Sequence, residues 1–171
     1  MSLTISESTP IKGLSLWQPW ASLIAVGAKT IETRGWKTNY RGLVAIHAAK
    51  RRKVDEINYY LSTRAFSVAL AEQRVDTLRY ERRIEGLPFG AFVCLARLVE
   101  CRPTELFTVA ELDTKTREYC QRDFGNFEPG RFGWILETVW PLKQAVPAKG
   151  MQGLFSISTA TRDEIFKELP I

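Results

Sequence analysis

Residues 14–34 have the sequence LSLWQPWASLIAVGAKTIETR, in which a short apolar segment lies between two alternating ones. Apolar and polar residues alternate over residues 13–17, which is the pattern of a half-buried β-strand. Residues 20–26 are mostly apolar and are followed by Gly27, so they predict a short helix that stops at the glycine. The alternation returns at residues 30–34. The stretch therefore predicts a strand, a helix and a second strand in close succession.

The rest of the chain continues with segments of both kinds. Strands are predicted at residues 42–47, 90–100, 133–141 and 153–158. Helices are predicted at residues 53–83, 108–122 and 161–169. The second of these begins with a capping box of Thr108 and Glu111, and the third begins with Thr161 and Glu164 at the same spacing. Five or six strands with helices between some of them indicate an α+β fold. A small mixed β-barrel or curled sheet would have helices packed around it, and periodicity does not distinguish the two.

The length of 171 residues fits one domain. We expect a loose N-terminal tail at residues 1–12 and a single domain at residues 13–171, with the helical segment at residues 53–85 inside it. No apolar run reaches the roughly 18 residues of a membrane span, and the first residues lack the pattern of a secretory signal. The three cysteines match no metal or redox motif, so we interpret them as reduced thiols of a cytoplasmic protein.

The positive charge of the chain is concentrated in its first half. Residues 1–85 contain 14 Lys and Arg against 8 Asp and Glu, whereas residues 86–171 contain 10 against 11. Residues 33–54 contain seven basic residues and no acidic one, and they include Trp36 and Tyr40. Basic segments attract nucleic acid because phosphate neutralisation releases counterions, and interleaved aromatic rings suit base stacking. We therefore predict a nucleic-acid partner, with a merely solvated basic surface as the alternative.

Several motifs of this chain occur in an order that is typical of one family. They are QPWASL at residues 18–23, Gly27, KTIETR at residues 29–34, Arg41-Gly42, IHAAK at residues 46–50, GAFV at residues 90–93, FGWI at residues 132–135 and PAKG at residues 147–150. In these motifs the chain resembles the ASCH domain (activating-signal-cointegrator homology) of the PUA-like superfamily. The resemblance implies a PUA-like β-barrel with a helix beside a cleft, and RNA rather than DNA as the partner.

The same resemblance implies an alternative activity. Some small ASCH-like proteins hydrolyse the acetyl amide of N4-acetylcytosine nucleosides with a Lys, a Thr and a Glu, and ribonuclease activity is also known in the family. Lys29 matches the catalytic Lys of these relatives, but their Thr lies three residues further on, where this chain has Glu32. The family typically needs no metal or redox cofactor, and we expect none here.

The second predicted strand and the third carry the candidate catalytic groups. Alternation places Glu32 and Arg34 on one face. There they form either a structural ion pair or one wall of a cleft. In the cleft, the Glu32 carboxylate would accept a hydrogen bond from the amino group of a nucleobase, and Arg34 would contact a phosphate. His47, the only histidine, is either a hydrogen-bonded structural residue or a ligand contact that moves a proton.

These residues support functions from different classes. In the first, the protein is a binding module whose basic surface and cleft accept nucleic acid or a nucleotide. The predicted contacts are Gln18, Arg34, Trp36, Tyr40, Arg41, Lys50, Arg51, Arg52, Lys53 and Lys149. In the second, the protein is a hydrolase of a modified nucleoside or RNA, with Lys29, Glu32 and His47 as its catalytic groups. A protein-interaction module of the coactivator type is a third alternative.

Overall fold

The computed structural model describes residues 9–71 and 86–170. Within them the strands are β1 (Ile11–Leu16), β2 (Ile31–Arg34), β3 (Gly42–Ala48), β4 (Ala91–Pro103), β5 (Phe132–Pro147) and β6 (Leu154–Ser156), and the helices are α1 (Trp20–Ala25), α2 (Val54–Ser62), α3 (Arg64–Ala71), α4 (Val109–Asp113) and α5 (Thr159–Lys167). None of the helices in these ranges is long and apolar enough to cross a membrane.

The six strands form one mixed sheet in the order β2-β5-β4-β3-β1-β6. β1 and β3 are parallel, whereas every other neighbouring pair is antiparallel. The parallel pair is possible because α1 and β2 lie between its strands and return the chain to the same end of the sheet. The pairing of β4 with β5 shifts register at three places, and such irregularities bend and twist a sheet.

The sheet is open over the described residues, because β2 and β6 are its edges and no backbone ladder joins them. The predicted combination of strands and packed helices is confirmed as a mixed α/β fold, but the predicted PUA-like barrel is only partly supported, because the sheet is not closed. A side chain spans the gap at one place, where Arg34 Nη2 on β2 donates to the carbonyl oxygen of Ser15 on β1 at 2.8 Å. This contact connects two strands that do not pair through their backbones.

Apolar side chains are buried on both faces of the sheet. Leu14 of β1 and Ile46 of β3 belong to a core that includes residues of α1, α2 and α3. Leu43 and Ala45, which alternate with them on β3, belong to a second core with Ile165 of α5. β3 is therefore buried along almost its whole length, as expected for a strand covered on both sides.

The first helix begins at the predicted residue, Trp20, and ends at Ala25, one residue before the predicted end. α1 stops shortly before Gly27, whose φ of +75° is a conformation that glycine adopts without strain. The predicted helix at residues 53–83 is two helices, α2 and α3, as far as Ala71, and residues 72–83 lie outside the described part. Residues 1–8 of the predicted tail also lie outside it, and β1 already begins at Ile11.

Other predicted ends need correction. The capping box of Thr108 and Glu111 is confirmed, but α4 stops at Asp113 rather than near residue 122. The N-cap of α5 is Ser158, whose hydroxyl accepts from the backbone N–H of Thr161, so Thr161 lies inside the first turn. β5 continues past Pro141, because the register shifts let a residue without an N–H enter the ladder.

Candidate nucleic-acid cleft

A cleft of about 1220 Å³ opens where several strands begin or end. Its lining consists of Ser15, Leu16 and Trp17 around the end of β1, Arg34 and Trp36 around the end of β2, His47, Ala49 and Lys50 around the end of β3, Phe89 and Gly90 before β4, and residues 147–153 from the last residue of β5 to the residue before β6. We call these last residues the 147–153 loop. The sheet therefore brings together segments that lie far apart in the sequence.

Three cations and three aromatic rings are among the described residues that line this cleft. Arg34, Lys50 and Lys149 line it, and none of its described lining residues is acidic. Trp17 and Trp36 are each 38% exposed, although large aromatic side chains are mostly buried in folded proteins. An exposed apolar surface with cations at its rim is typical of a binding site.

The basic segment that follows β3 lies along the rim of the cleft. The guanidinium of Arg52 lies over the ring of Phe89, 4.6 Å from its centre. The ammonium of Lys53 lies over the ring of Trp17 at 4.5 Å. Both rings line the cleft, and Arg51 between the two cations is exposed. Their position adds positive charge next to the cleft without filling it.

A serine and a histidine are hydrogen-bonded on the wall of the cleft. β1 and β3 run parallel with Ser15 opposite His47, so both side chains leave the same face of the sheet. His47 Nε2 lies 3.0 Å from the carbonyl oxygen of Ala148, and Nδ1 lies 3.2 Å from Ser15 Oγ. A carbonyl oxygen only accepts, so Nε2 carries the proton, and Nδ1 of the neutral ring accepts from the Ser15 hydroxyl.

Burial favours the neutral form of this histidine. His47 is 1% exposed, and desolvation lowers its pKa, although the hydrogen bond to the Ala148 carbonyl acts in the opposite direction. The ring is therefore a proton acceptor at neutral pH.

Gly150 of the 147–153 loop packs directly on the serine and the histidine. A Cβ at this position would lie 2.5 Å from His47 Nδ1 and 2.5 Å from Ser15 Oγ. No real side chain tolerates such contacts unless its neighbours move. The absence of a side chain at Gly150 therefore lets the loop backbone approach the wall of the cleft.

Lys29 is fully buried and lines neither this cleft nor the smaller pocket beside it. Its Nζ donates to the carbonyl oxygens of Ile31 at 2.6 Å and Phe124 at 2.9 Å, and it lies 3.2 Å from Glu32 Oε2. An ammonium has three N–H groups, so all of them are used within the protein. Burial lowers the pKa of Lys29, whereas the Glu32 carboxylate raises it.

Glu32 connects Lys29 to Arg34. Its Oε1 lies 3.3 Å from Arg34 Nε, so the acid and base that alternation places on one face do form an ion pair. Glu32 also lines the smaller pocket of about 340 Å³, and Arg34 borders both this pocket and the main cleft. The three predicted catalytic groups are thus divided, because His47 lies on the main cleft, Glu32 on the smaller pocket and Lys29 on neither.

Gln18 holds the beginning of α1 rather than facing the cleft. It is 2% exposed. Its Nε2 donates to the carbonyl oxygen of Pro88 at 2.8 Å, and its Oε1 accepts from the backbone N–H of Ser22 at 3.1 Å. Both ends of the amide are used inside the protein, so we leave Gln18 out of the proposed interface.

Tyr40 and Arg41 stabilise the loop between β2 and β3. The Tyr40 hydroxyl donates to the carbonyl oxygen of Leu43 at 2.7 Å. The Arg41 guanidinium donates to the carbonyl oxygens of Thr38 at 3.1 Å and Tyr40 at 2.8 Å. Neither residue lines the cleft, so the aromatic and basic side chains of this segment do not all act at one place.

Sequence reasoning missed some residues of the cleft, among them Ser15, Phe89 and Met151. Ser15 is a polar residue between two apolar ones in β1, which is the ordinary pattern of a strand. Only the parallel pairing of β1 with β3 places it opposite His47. Long-range pairing of this kind has no local signal in one sequence.

The described residues contain no group of three His, Cys, Asp or Glu side chains that could hold a metal ion. All three cysteines are free. Cys94 and Cys101 are buried, and desolvation raises the pKa of the Cys94 thiol.

Solved structures of ASCH proteins share this fold. ASCH from Zymomonas mobilis matches with a TM-score of 0.53 and 14% identity, over 94% of this chain and 96% of that chain. A Tyr-to-Phe mutant of the same protein matches with a TM-score of 0.53 and 14% identity, over 94% and 99% of the two chains. A Ser-to-Ala mutant of that protein matches with a TM-score of 0.52 and 13% identity, over 93% of this chain and 96% of that chain. At such low identity these matches establish the fold, and no curated protein matches the chain.

The family follows from the sequence itself. The sequence profile of the ASCH domain matches residues 14–135, which is more than half of the chain. The chain therefore belongs to the ASCH domain family, as its motifs predict. This family has a PUA-like fold and is often linked to RNA binding.

Proposed function

We propose that the protein binds RNA and that its cleft holds one nucleotide of a single-stranded segment. The observation that carries this proposal is the lining of the cleft, which combines Arg34, Lys50 and Lys149 with the exposed rings of Trp17 and Trp36. Single-stranded RNA is commonly bound by aromatic rings that stack on bases and by cations that contact the backbone. The ASCH family's link to RNA favours RNA over DNA.

The size of the cleft is compatible with a nucleotide and its neighbouring phosphates. Sites for small molecules usually have volumes of about 300–1,000 Å³; this cleft, at about 1220 Å³, exceeds that range and so leaves room for phosphates on either side of a nucleotide. Lys50 and Lys149 are both exposed and come from separate segments, the end of β3 and the 147–153 loop. Exposed lysines on two segments can contact phosphates on either side of one base.

Trp36 is the ring that we assign to base stacking. It meets the ring of Trp134 edge-on, with 4.6 Å between the ring centres. Trp134 is fully buried, so it fixes the orientation of its exposed neighbour before any ligand arrives. A preorganised ring loses little conformational entropy on binding.

The test measures affinity for a short single-stranded RNA by fluorescence anisotropy at low and at physiological salt. We expect the affinity to fall steeply with salt, because phosphate contacts release counterions. Lys50→Glu combined with Lys149→Glu should weaken binding about tenfold or more. Lys115→Glu combined with Lys167→Glu is the matched control, because it changes the net charge equally at exposed positions away from the cleft.

A second pair of variants examines stacking. Trp36→Ala should weaken binding by about 1–3 kcal/mol, the usual contribution of one base on one aromatic ring, whereas Trp36→Phe should retain most of the affinity. The same measurement on DNA of equal sequence should show weaker binding. Absence of RNA affinity at low salt refutes the proposal, and an equal loss in both double-charge variants refutes the assignment to this cleft.

A further inference from the structure

We propose that Ser15 and His47 form a nucleophile and base pair that hydrolyses a carboxylic ester carried by an anionic ligand in the cleft. The position of the ligand rests on the proposed function, because the same cations and rings would hold it. The chemistry itself rests on the geometry of these two residues. It makes no use of Lys29 or Glu32.

The pair has the arrangement that activates a serine. The distance of 3.2 Å between Ser15 Oγ and His47 Nδ1 is within the reach that nucleophile and base pairs require. Nδ1 is the unprotonated nitrogen, because Nε2 donates to the Ala148 carbonyl. The hydroxyl proton of Ser15 therefore already points at the group that would remove it.

Other contacts fix the histidine ring from the remaining sides. Ala148 orients it, as the third member of a catalytic triad orients the base. The ring of Phe92 meets it edge-on, with 5.3 Å between centres. Gly150 packs against Nδ1 and Cε1. A base held in this way needs little reorganisation when the proton moves.

The reaction proceeds through an acyl-enzyme. Ser15 Oγ attacks the ester carbonyl carbon while its proton passes to His47 Nδ1. The tetrahedral intermediate collapses, the bond to the alkoxy oxygen breaks, and His47 returns the proton to the leaving alcohol. Water then attacks the acyl group and gives a proton to His47. The second collapse releases the carboxylic acid and restores the Ser15 hydroxyl, so water is the only co-reactant.

Arg34 is positioned to favour the charged intermediate. Its Nη2 donates to the carbonyl oxygen of Ser15 itself at 2.8 Å, which places the guanidinium beside the nucleophile and on the same cleft. Fixed positive charge stabilises the negative oxygen of a tetrahedral intermediate, although the ion pair of Arg34 with Glu32 reduces this effect.

The surroundings of His47 favour an ester over an amide as the substrate. Its Nε2 partner is a neutral carbonyl, not the carboxylate of a Ser-His-Asp triad, so the imidazolium receives less stabilisation. The charged groups that line the cleft with His47 are the cations Arg34, Lys50 and Lys149, and none of them is a carboxylate that could stabilise the imidazolium. A weak base of this kind suits an ester, because an alkoxide is expelled more easily than the amide anion that an unprotonated amide would have to release.

The test uses three probes on the full chain. Adenosine monophosphate acetylated on its ribose is the anionic ester, p-nitrophenyl acetate is the uncharged one, and a phosphonofluoridate labels activated serines. We expect the wild type to hydrolyse both esters. Ser15→Ala and His47→Gln should each lower kcat/KM by about 10²–10⁴-fold, and Ser62→Ala, at an exposed serine, should leave it unchanged.

The label gives a readout that does not depend on the folding of a variant. Mass spectrometry should find the phosphonate on Ser15 of the wild-type protein, with slower labelling in acid as His47 becomes protonated. Hydrolysis of neither ester, hydrolysis that survives Ser15→Ala, or a label elsewhere than Ser15 overturns the proposal.

The two proposals fail separately. RNA affinity without ester hydrolysis refutes the catalytic pair and leaves the binding function intact. Ester hydrolysis that needs Ser15 and His47, without RNA affinity, refutes RNA binding and supports the pair.

Discussion

Replacement of Lys29 by methionine distinguishes a structural from a catalytic role for this lysine. Its side chain is 1% exposed, and that of its ion-pair partner Glu32 is 10% exposed. Methionine fills a similar space, but it removes the donor of the Phe124 carbonyl oxygen and one of the two ionic partners of Glu32, which keeps only Arg34 at 3.3 Å. Removal of one partner from a buried ion pair costs about 3–5 kcal/mol, and we expect a loss of that size in the free energy of unfolding.

The loss is measurable by denaturant and by heat. Tryptophan fluorescence should show an earlier urea midpoint with an unchanged m-value. For a domain of this length each kcal/mol shifts the melting temperature by about 2–4 °C, so Lys29→Met should lower it by about 6–20 °C. Lys53 and Glu56 are the matched control, since they have the same i,i+3 spacing at 2.9 Å but are 40% exposed. Lys53→Met should cost less than about 1 kcal/mol.

A double-mutant cycle tests the reason for the loss. When Glu32→Gln accompanies Lys29→Met, no buried carboxylate is left with Arg34 as its one remaining ionic partner. The free energy of unfolding of the double variant should therefore fall by about 0.5–3 kcal/mol less than the sum of the losses of the two single variants. If Lys29→Met unfolds with a free energy within about 1 kcal/mol of the wild type, this reasoning is refuted. If the variant at that unchanged stability also loses hydrolysis of a modified nucleoside, the result supports the catalytic role that the motif predicts.

Three further predictions follow from contacts around the cleft and from α4. Gly150→Ala should lower the free energy of unfolding by about 1–3 kcal/mol, because its Cβ would lie 2.5 Å from His47. Gly35→Ala is the control: its Cβ would meet nothing within 4 Å, so it should change stability by no more than about 0.5 kcal/mol. Equal melting temperatures of the two variants would contradict this prediction. Burial lowers the pKa of His47, so the unfolded chain binds more protons than the native chain in mildly acidic solution. The contribution of His47 to the free energy of unfolding is therefore complete above about pH 6.5 and is lost as the pH falls through the native pKa. His47→Gln should make the free energy of unfolding depend less on pH in urea titrations from pH 7 to 5. Thr108→Ala should cost about 1 kcal/mol, because it removes the capping box with Glu111, and no change in urea midpoint would argue against it.

The local parts of the fold were predictable because their causes are local. Gly27 ends α1 through its own backbone freedom, and Thr108 with Glu111 caps α4 through neighbouring atoms. The far end of α4 was not predictable from caps alone. Thr114 and Thr116 have weak helix propensity, and they follow Asp113 with extended and bridged backbone instead of further turns.

The topology of the sheet was less accessible than its strands. Alternation identifies a strand and its two faces, but it does not state which strand lies beside it. Whether the sheet closes depends on the pairing of β2 and β6, two edge strands separated by most of the chain. The same limit applies to the site, because Ser15 acquires its chemical meaning only from the register that places it opposite His47.

The charge pattern also acquires a different meaning in the folded chain. Within residues 33–54, Arg34 and Arg41 donate to groups of the protein itself, so part of that basic charge already holds structure together. Lys50 of the same segment lines the same cleft as Lys149, which comes from the nearly neutral second half of the chain. None of the described residues that line this cleft is acidic. Affinity for a polyanion depends on such local clusters of cations more than on net charge. The fold therefore keeps Arg34 and Lys50 of the basic segment at the cleft, leaves Arg41 away from it and adds Lys149 from outside the segment, and the proposed RNA contacts follow this rearranged set.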